Sequence, residues 1–136
     1  MSPCGSAGPN RTVSLGAVST EPRRDPDCLF CRIVAGEVPA DVVAQDERVL
    51  ALRDVTPQAP VHVLVVPREH HADVARLAEA DPGTLVALVR LGSQVARDEA
   101  GGQFRLVFNS GADAGQSVHH VHGHVLGGRS LTWPPG

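Results

Sequence analysis

The chain has 136 residues, of which 42% are hydrophobic, 20% charged and 3% aromatic, and its formal net charge is −3. This length suits one compact domain and is too short for two, and the composition argues against general disorder. The slightly acidic charge gives no electrostatic footprint for nucleic acid, and the absence of Lys and Tyr excludes Schiff-base lysines and phenolic acid–base groups.

The first 26 residues are rich in Ser, Gly, Pro and Thr and show no apolar periodicity. We therefore expect a flexible leader at 1–26, followed by a single domain at 27–136. No apolar run approaches the ~20 residues of a membrane span, and the start of the chain lacks the features of a signal peptide. Three cysteines are too few for a disulfide framework. These features favour a cytoplasmic protein that binds neither membrane nor nucleic acid.

The first half of the domain is predicted to hold one short helix and three strands. Residues 29–35 can form a helix, which the following glycine and proline end. Residues 41–44 and 49–54 are β-prone runs that flank a predicted hairpin turn. Residues 61–66 form a largely apolar strand that a proline closes.

The second half is predicted to hold one long helix and two strands. Apolar residues recur at helical spacing from residue 82 to about residue 99, with Asp81 as a candidate N-cap. Residues 104–109 and 118–126 are predicted strands, separated by a glycine-bearing loop at 111–115. The whole pattern predicts an α+β domain: an antiparallel sheet of about five strands, with one long helix and a short N-terminal helix.

Three histidines alternate with other residues in the last predicted strand. On a strand, His120, His122 and His124 would point to one face, because side chains two residues apart share a face. Three neighbouring imidazoles cannot all be protonated comfortably, so one can act as a neutral nucleophile while another faces a phosphate. The residues alone leave two other interpretations open: a hydrogen-bonded histidine cluster or a three-histidine metal site.

A glycine-bearing loop precedes these histidines. Gly111 and Gly115 permit tight turns, so main-chain N–H groups and the Ser117 hydroxyl can converge on an oxyanion. Imidazole attacks phosphorus readily and leaves readily once protonated, so two displacements are easier than direct attack by water. The loop and the histidines are together consistent with nucleophilic displacement at phosphorus.

The segment from Asn109 to Gly128 resembles the signature of the histidine-triad (HIT) family. The ending Trp133-Pro-Pro-Gly136 resembles that of its Hint branch, the purine nucleoside phosphoramidases. Four upstream segments also match the family in order: residues 28–33, 36–39, 54–62 and 65–70. The resemblance therefore covers about residues 28–136. The resemblance implies a HIT-like fold and a purine nucleotide ligand. It also implies hydrolysis of the P–N bond of adenosine 5′-phosphoramidates and adenylylated amines through a nucleotidyl-histidine intermediate.

The resemblance implies roles for individual residues. His122 matches the nucleophile, His124 the histidine that contacts the phosphate, and His62 a further histidine that supports the triad. Asp54 matches the carboxylate that accepts the ribose hydroxyls. The phosphate and leaving-group positions match Ser117, Gln116 and Asn109, and the apolar slot for the base matches Leu29, Phe30, Ile33, Leu52 and Val55.

Cys28 and Cys31 have a spacing common in structural zinc sites, but they supply only two of four ligands. The resemblance implies that His70 and His120 complete the set, so His120 belongs both to the catalytic triad and to the shell of a structural Zn²⁺. A closed set of four ligands leaves no open position and is structural. Two alternatives stay open: plain thiols, or a redox pair, for which the predicted fold lacks the βαβ context.

The sequence departs from the family signature at two positions. Gly123 stands where a bulky apolar residue is usual, and His119 where an aromatic residue is common. Gly123 is expected to leave a hole on the non-catalytic face and to loosen the packing there. Arg53 beside Asp54, and the small Leu52, leave the preference for adenine over guanine open.

Two other functions stay open on the sequence. One is hydrolysis of dinucleoside polyphosphates, as in the Fhit branch, although the C-terminal tail favours the phosphoramidase. The other is a nucleotide-binding adaptor with little turnover, although all three triad histidines are present. The family pattern also implies a two-fold homodimer, paired through the adjacent strand and an apolar helix face of Leu85, Leu88 and Val89.

Overall fold

The computed structural model describes residues 23–136, so Cys4 and the part of the predicted leader up to residue 22 lie outside the described residues. The elements in chain order are α1 (Leu29–Val34), β1 (Val42–Gln45), β2 (Val49–Arg53), β3 (Val61–Pro67), α2 (Val74–Ala80), α3 (Pro82–Ala100), β4 (Phe104–Phe108), a single 3₁₀ turn (Ala112–Ala114) and β5 (Gly123–Gly127). Within these residues no helix is both long enough and apolar enough to cross a bilayer.

The five strands form one antiparallel sheet in the order β1-β2-β3-β5-β4, which confirms the predicted α+β architecture. Strand β3 is central, and its register pairs Leu64 with His124 and His62 with Leu126. Side chains of cross-strand partners share a face, so these four residues lie on one side of the sheet, here called the site face. The opposite side, the helix face, carries the apolar partners of the main core, such as Val63 and Val125.

Helix α3 covers the helix face. Its N-terminus is capped by Asp81, whose carboxylate accepts a hydrogen bond from the Thr84 N–H at 3.1 Å, as the sequence predicts. Leu88 of α3 is fully buried, and the burial of one such side chain stabilises the fold by about 1.5–3 kcal/mol. Gly92 brings the helix close to the sheet, because a Cβ there would lie 3.1 Å from Cγ2 of Val125.

Two parts of the chain differ from the prediction. Strand β5 begins at Gly123 rather than at residue 118, because the pairing with β3 starts at Val65 and Gly123. Before that point the Val121 N–H bonds to the His71 carbonyl oxygen at 2.8 Å, so His120 and His122 lie in an irregular segment. Helix α2 was not predicted, because it is short and buries only Leu77. The consequence is that the three histidines do not share one strand.

The prediction of a hole beside Gly123 is wrong. A Cβ added at Gly123 would lie 2.9 Å from Cδ1 of Leu106 and 3.2 Å from the ring of Phe108. Both side chains come from β4, whose register sets Phe108 opposite Gly123. The neighbouring strand therefore fills the space that the missing side chain leaves.

Candidate active site and metal centre

A cavity of about 690 Å³ opens on the site face between α1, the end of β2 and the segment before β5. This volume is within the range of small-molecule sites. Its polar lining includes Asp54, Ser117, His122 and His124. The residues of the predicted apolar slot line the same cavity; they are Leu29, Phe30, Ile33, Leu52 and Val55. The fold thus gathers most of the predicted site residues around one cavity.

His122 lines this cavity, and its neutral ring has a defined tautomer. Its Nδ1 is 2.8 Å from the main-chain oxygen of His120. A carbonyl oxygen can only accept, so Nδ1 carries the proton and donates it. In the neutral ring Nε2 then has a free lone pair, as a nucleophile requires. The ring of Phe30 packs against the imidazole with centroids 5.0 Å apart and limits its rotation.

His62 and His124 form a pair, of which His124 lines the cavity. Nε2 of His62 is 2.9 Å from Nδ1 of His124, and the Gln58 main-chain N–H donates to Nδ1 of His62 at 2.9 Å. His62 therefore carries its proton on Nε2 when neutral. Burial lowers the pKa of His62, although Asp54 opposes the shift, and burial lowers the pKa of His124 to about 4. Both imidazoles are neutral near pH 7.

Asp54 lines the cavity and lies next to this histidine pair. One carboxylate oxygen accepts hydrogen bonds from the main-chain N–H and the hydroxyl of Thr56, at 2.8 and 3.2 Å. The other lies 3.3 Å from Nε2 of His62. Possible metal donors of Asp54, His62 and His124 lie within 4.8 Å of one another. The proton on Nε2 of His62 occupies the position that a metal would need, so this group suits hydrogen bonding instead.

The loop before β5 is built around Gln116. Its buried side chain accepts a hydrogen bond from the Gly111 N–H at 2.9 Å and donates to the oxygens of Ala72 and Val118 at 2.7 and 3.1 Å. The amide is thus occupied in holding the loop and does not line the cavity, whereas the adjacent Ser117 does. The cavity wall also excludes Asn109, which follows β4.

A second cluster lies next to the cavity and consists of Cys28, Cys31, His70 and His120. Their four donor atoms lie within 4.8 Å of one another. Sγ of Cys28 is 3.3 Å from Nδ1 of His120, and Sγ of Cys31 is 3.4 Å from Nδ1 of His70. A tetrahedral zinc with ordinary bond lengths would separate sulfur and nitrogen ligands by about 3.6 Å. The cluster therefore fits a tetrahedral ion of this size.

The surroundings of this cluster also suit a metal. Nε2–H of His120 donates to the Pro67 carbonyl oxygen at 2.8 Å, which leaves the lone pair of Nδ1 directed at the thiols. The side chain is fully buried, and burial lowers the pKa of His120 to about 4. The Asp25 N–H donates to Sγ of Cys31 at 3.3 Å. Asp25 is within the predicted leader, yet it contacts this cluster.

Two groups near the site were not predicted from the sequence: the Arg129 side chain and the main chain of Gln58. Nη2 of Arg129 donates to the main-chain oxygen of Gln58 at 2.9 Å. The Gln58 N–H and its carbonyl oxygen act through the main chain, so no residue pattern could have revealed them. His71 is also buried, and neither of its ring nitrogens has a hydrogen-bond partner within the described residues.

The sequence and the fold of this chain are similar to those of known proteins. A model of the HIT domain family matches residues 35–131. A HIT-like protein of uncharacterised function from Synechocystis is 45% identical over 111 residues, which cover 81% of this chain and 97% of the relative. A solved HIT family hydrolase from Legionella pneumophila is 44% identical with a TM-score of 0.77, over 81% of this chain and 100% of that one. A zinc-bound histidine triad family protein from Mycobacterium smegmatis is 31% identical with a TM-score of 0.66, over 76% of each chain.

Proposed function

Because the chain belongs to the HIT domain family, we propose that it is a hydrolase that cleaves the P–N bond of adenosine 5′-phosphoramidates and adenylylated amines. The observation that carries this proposal is the hydrogen bond from Nδ1–H of His122 to the His120 oxygen. In the neutral tautomer that this bond selects, Nε2 is free beside a cavity of about 690 Å³. Imidazole is a good nucleophile towards phosphorus and does not need a metal or an organic cofactor for this reaction.

The proposed reaction takes two displacements. Nε2 of His122 attacks the α-phosphorus, a P–Nε2 bond forms, and the P–N bond to the amine breaks while the departing nitrogen takes up a proton. Water then attacks the phosphorus of the nucleotidyl-histidine, the P–Nε2 bond breaks, and AMP leaves. The water loses a proton in this step, which balances the proton gained by the amine. The products are AMP and the free amine.

The cavity walls suit a nucleotide in one orientation. The apolar lining residues, such as Phe30 and Leu52, would hold the base, and the Asp54 carboxylate would accept the ribose hydroxyls. His124 and Ser117 would then lie beside the phosphate, where Nε2–H and the hydroxyl can donate to its oxygens.

We assign a structural Zn²⁺ to Cys28, Cys31, His70 and His120. The donor set fits the closed tetrahedral sites that stabilise folds, and bound zinc would supply cross-links between α1, the end of β3 and the segment before β5. Zinc thiolates persist in a reducing compartment such as the cytoplasm. The metal would thereby hold His120, whose carbonyl oxygen orients the nucleophile.

A homodimer is part of the proposal. Of the three helix residues predicted to face a partner, Leu88 packs inside its own chain, whereas Val89 is 40% exposed. Val86 is also exposed on α3, and β4 is an edge strand of the sheet. Pairing of these surfaces would bring the exposed Trp133 tail close to the partner's cavity.

The proposal is tested with a fluorogenic adenosine 5′-phosphoramidate and, in parallel, a dinucleoside polyphosphate. We expect turnover of the phosphoramidate that His122→Ala abolishes. The matched control is His119→Ala, since His119 is exposed and lies outside the cavity. An alkaline quench with labelled substrate should trap the nucleotide on wild-type protein only.

Three outcomes would count against the phosphoramidase. Preferred turnover of the polyphosphate would assign the chain to that reaction instead. Tight AMP binding without turnover would make it a nucleotide-binding adaptor. Equal turnover in the His122→Ala protein would show that His122 is not the nucleophile.

A further inference from the structure

The loop of residues 54–60 lies against the histidine pair and is held by hydrogen bonds instead of regular secondary structure. The Gln58 carbonyl oxygen accepts from Arg129 at 2.9 Å, and the Gln58 side-chain amide donates to the Thr56 oxygen at 2.9 Å. These contacts place the Gln58 N–H 2.9 Å from Nδ1 of His62. Arg129 follows β5, so it joins this loop to the strand that carries His124.

The direction of the hydrogen bonds in this chain follows from one main-chain donor. Gln58 donates to Nδ1 of His62, so the His62 proton lies on Nε2 and points to Nδ1 of His124 at 2.9 Å. Nδ1 of His124 accepts, and its own proton therefore lies on Nε2. The reverse direction would need a proton on Nδ1 of His62, which would face the N–H of Gln58.

We propose that the Gln58 main-chain N–H, held in place by Arg129, is a positioning group that fixes which nitrogen of His62 and of His124 carries the proton. The inference rests on the proposed function, in which Nε2–H of His124 donates to a phosphoryl oxygen. With the opposite tautomer, His124 would direct a lone pair at the anionic oxygen, which repels it. Gln58 and Arg129 act through the histidines and do not touch the substrate.

The first test reads the tautomer directly. ¹⁵N-labelled protein is examined by long-range ¹H–¹⁵N correlation, which distinguishes protonated from unprotonated ring nitrogens. Gln58→Pro removes the N–H, whereas Gln58→Ala keeps it and removes only the side-chain bond to Thr56. We expect the Nε2–H tautomer of His62 and His124 in the wild type and in Gln58→Ala, and a mixture of tautomers in Gln58→Pro. This result does not depend on turnover, so it separates the inference from the proposed function.

The second test uses Arg129, which lies outside the loop, so its replacement leaves the sequence of the loop itself unchanged. Arg129→Ala is expected to give mixed tautomers and to lower kcat roughly tenfold with little change in KM, about the effect of one hydrogen bond in the transition state. Arg129→Lys, which can still donate to the Gln58 oxygen, should recover most of the loss. Arg76→Ala is the matched control, because Arg76 is an exposed arginine on α2.

The inference is overturned if Gln58→Pro keeps the single wild-type tautomer, or if Gln58→Ala disturbs the tautomer equally. If Gln58→Pro does not fold, Arg129→Ala decides: an unchanged tautomer together with an unchanged kcat overturns the role of Arg129 and of the loop. If the wild type has the expected tautomer but does not cleave phosphoramidates, the proposed function fails while the positioning of the histidine pair stands.

Discussion

The main-chain oxygen of His120 lies 2.8 Å from Nδ1 of His122, while the side chain of the same His120 lies 3.3 Å from Sγ of Cys28. One residue therefore contacts both the proposed nucleophile and the proposed metal shell. Any movement of the His120 main chain changes the hydrogen bond that leaves Nε2 of His122 free. In the proposed mechanism, this residue would couple the metal centre to the reaction.

Removal of zinc is therefore expected to affect both stability and turnover. Cys31→Ser, or treatment of the wild type with a chelator, should lower the free energy of unfolding by several kcal/mol, because structural zinc contributes directly to folding. It should also lower kcat more than it raises KM. Metal analysis, urea unfolding and steady-state kinetics measure the three quantities. Zinc should restore the chelated wild type, and full stability without metal would contradict the assignment.

Stability is expected to fall in acid, in part because of His124. Its pKa is lowered from 6.5 to about 4 by burial, so above about pH 6.5 the ring is neutral in both the folded and the unfolded chain. As the pH falls below about 6.5, His124 takes up its proton in the unfolded chain before it does so in the folded chain. The free energy of unfolding therefore decreases down to about pH 4, by up to ~1.4 kcal/mol per pH unit. Urea unfolding from about pH 8 to pH 4 measures this slope. His124→Gln should reduce it, and an unchanged slope would contradict the shift.

Replacement of His71 by leucine should stabilise the protein. Both ring nitrogens of His71 are buried without a hydrogen-bond partner in the described residues, and an unsatisfied buried polar group costs about 1–3 kcal/mol. We expect His71→Leu to raise the free energy of unfolding by about 1 kcal/mol or more, measured with urea near pH 7.5. His119→Leu, at an exposed position, is the control. A destabilised His71→Leu protein would show that His71 has a partner.

Asp54→Asn should weaken binding of the ribose. The carboxylate lines the cavity and is held by Thr56, so it is oriented before the substrate binds. We expect KM for a ribonucleotide substrate to rise roughly tenfold, the order of one charge-assisted hydrogen bond. A 2′-deoxy substrate should show a smaller difference between the two proteins. Equal changes for both substrates would mean that Asp54 acts mainly through His62.

The fold could be predicted because it depends on local patterns, whereas most of the residues around the cavity were predicted from the family resemblance. Helix α3 has the apolar spacing and the Asp81 cap that define a helix, and β3 is a closed apolar run. The spacing of Cys28 and Cys31 indicated a metal half-site, and the family resemblance supplied His70 and His120 as its completion. The structure brings these four residues together, as expected.

Other features could not be predicted, because they depend on tertiary contacts. The length of β5 is set by where β3 offers a partner, and the strand preference of residues 118–122 is overridden by the contacts of His120. Gln116 belongs to the signature segment, but only the folded loop reveals that its amide is occupied by main-chain groups. The orientations of His62, His120 and His122 depend on main-chain donors and acceptors that have no counterpart in the residue pattern.

The contact between Gly123 and β4 has a consequence for how this protein can vary. Leu106 and Phe108 already occupy the volume beside the Gly123 backbone. A larger residue at position 123 is therefore compatible with the fold only if position 106 or 108 becomes smaller at the same time. Substitutions at these three positions should be tolerated in compensating combinations and rejected singly, so we expect positions 106, 108 and 123 to vary together.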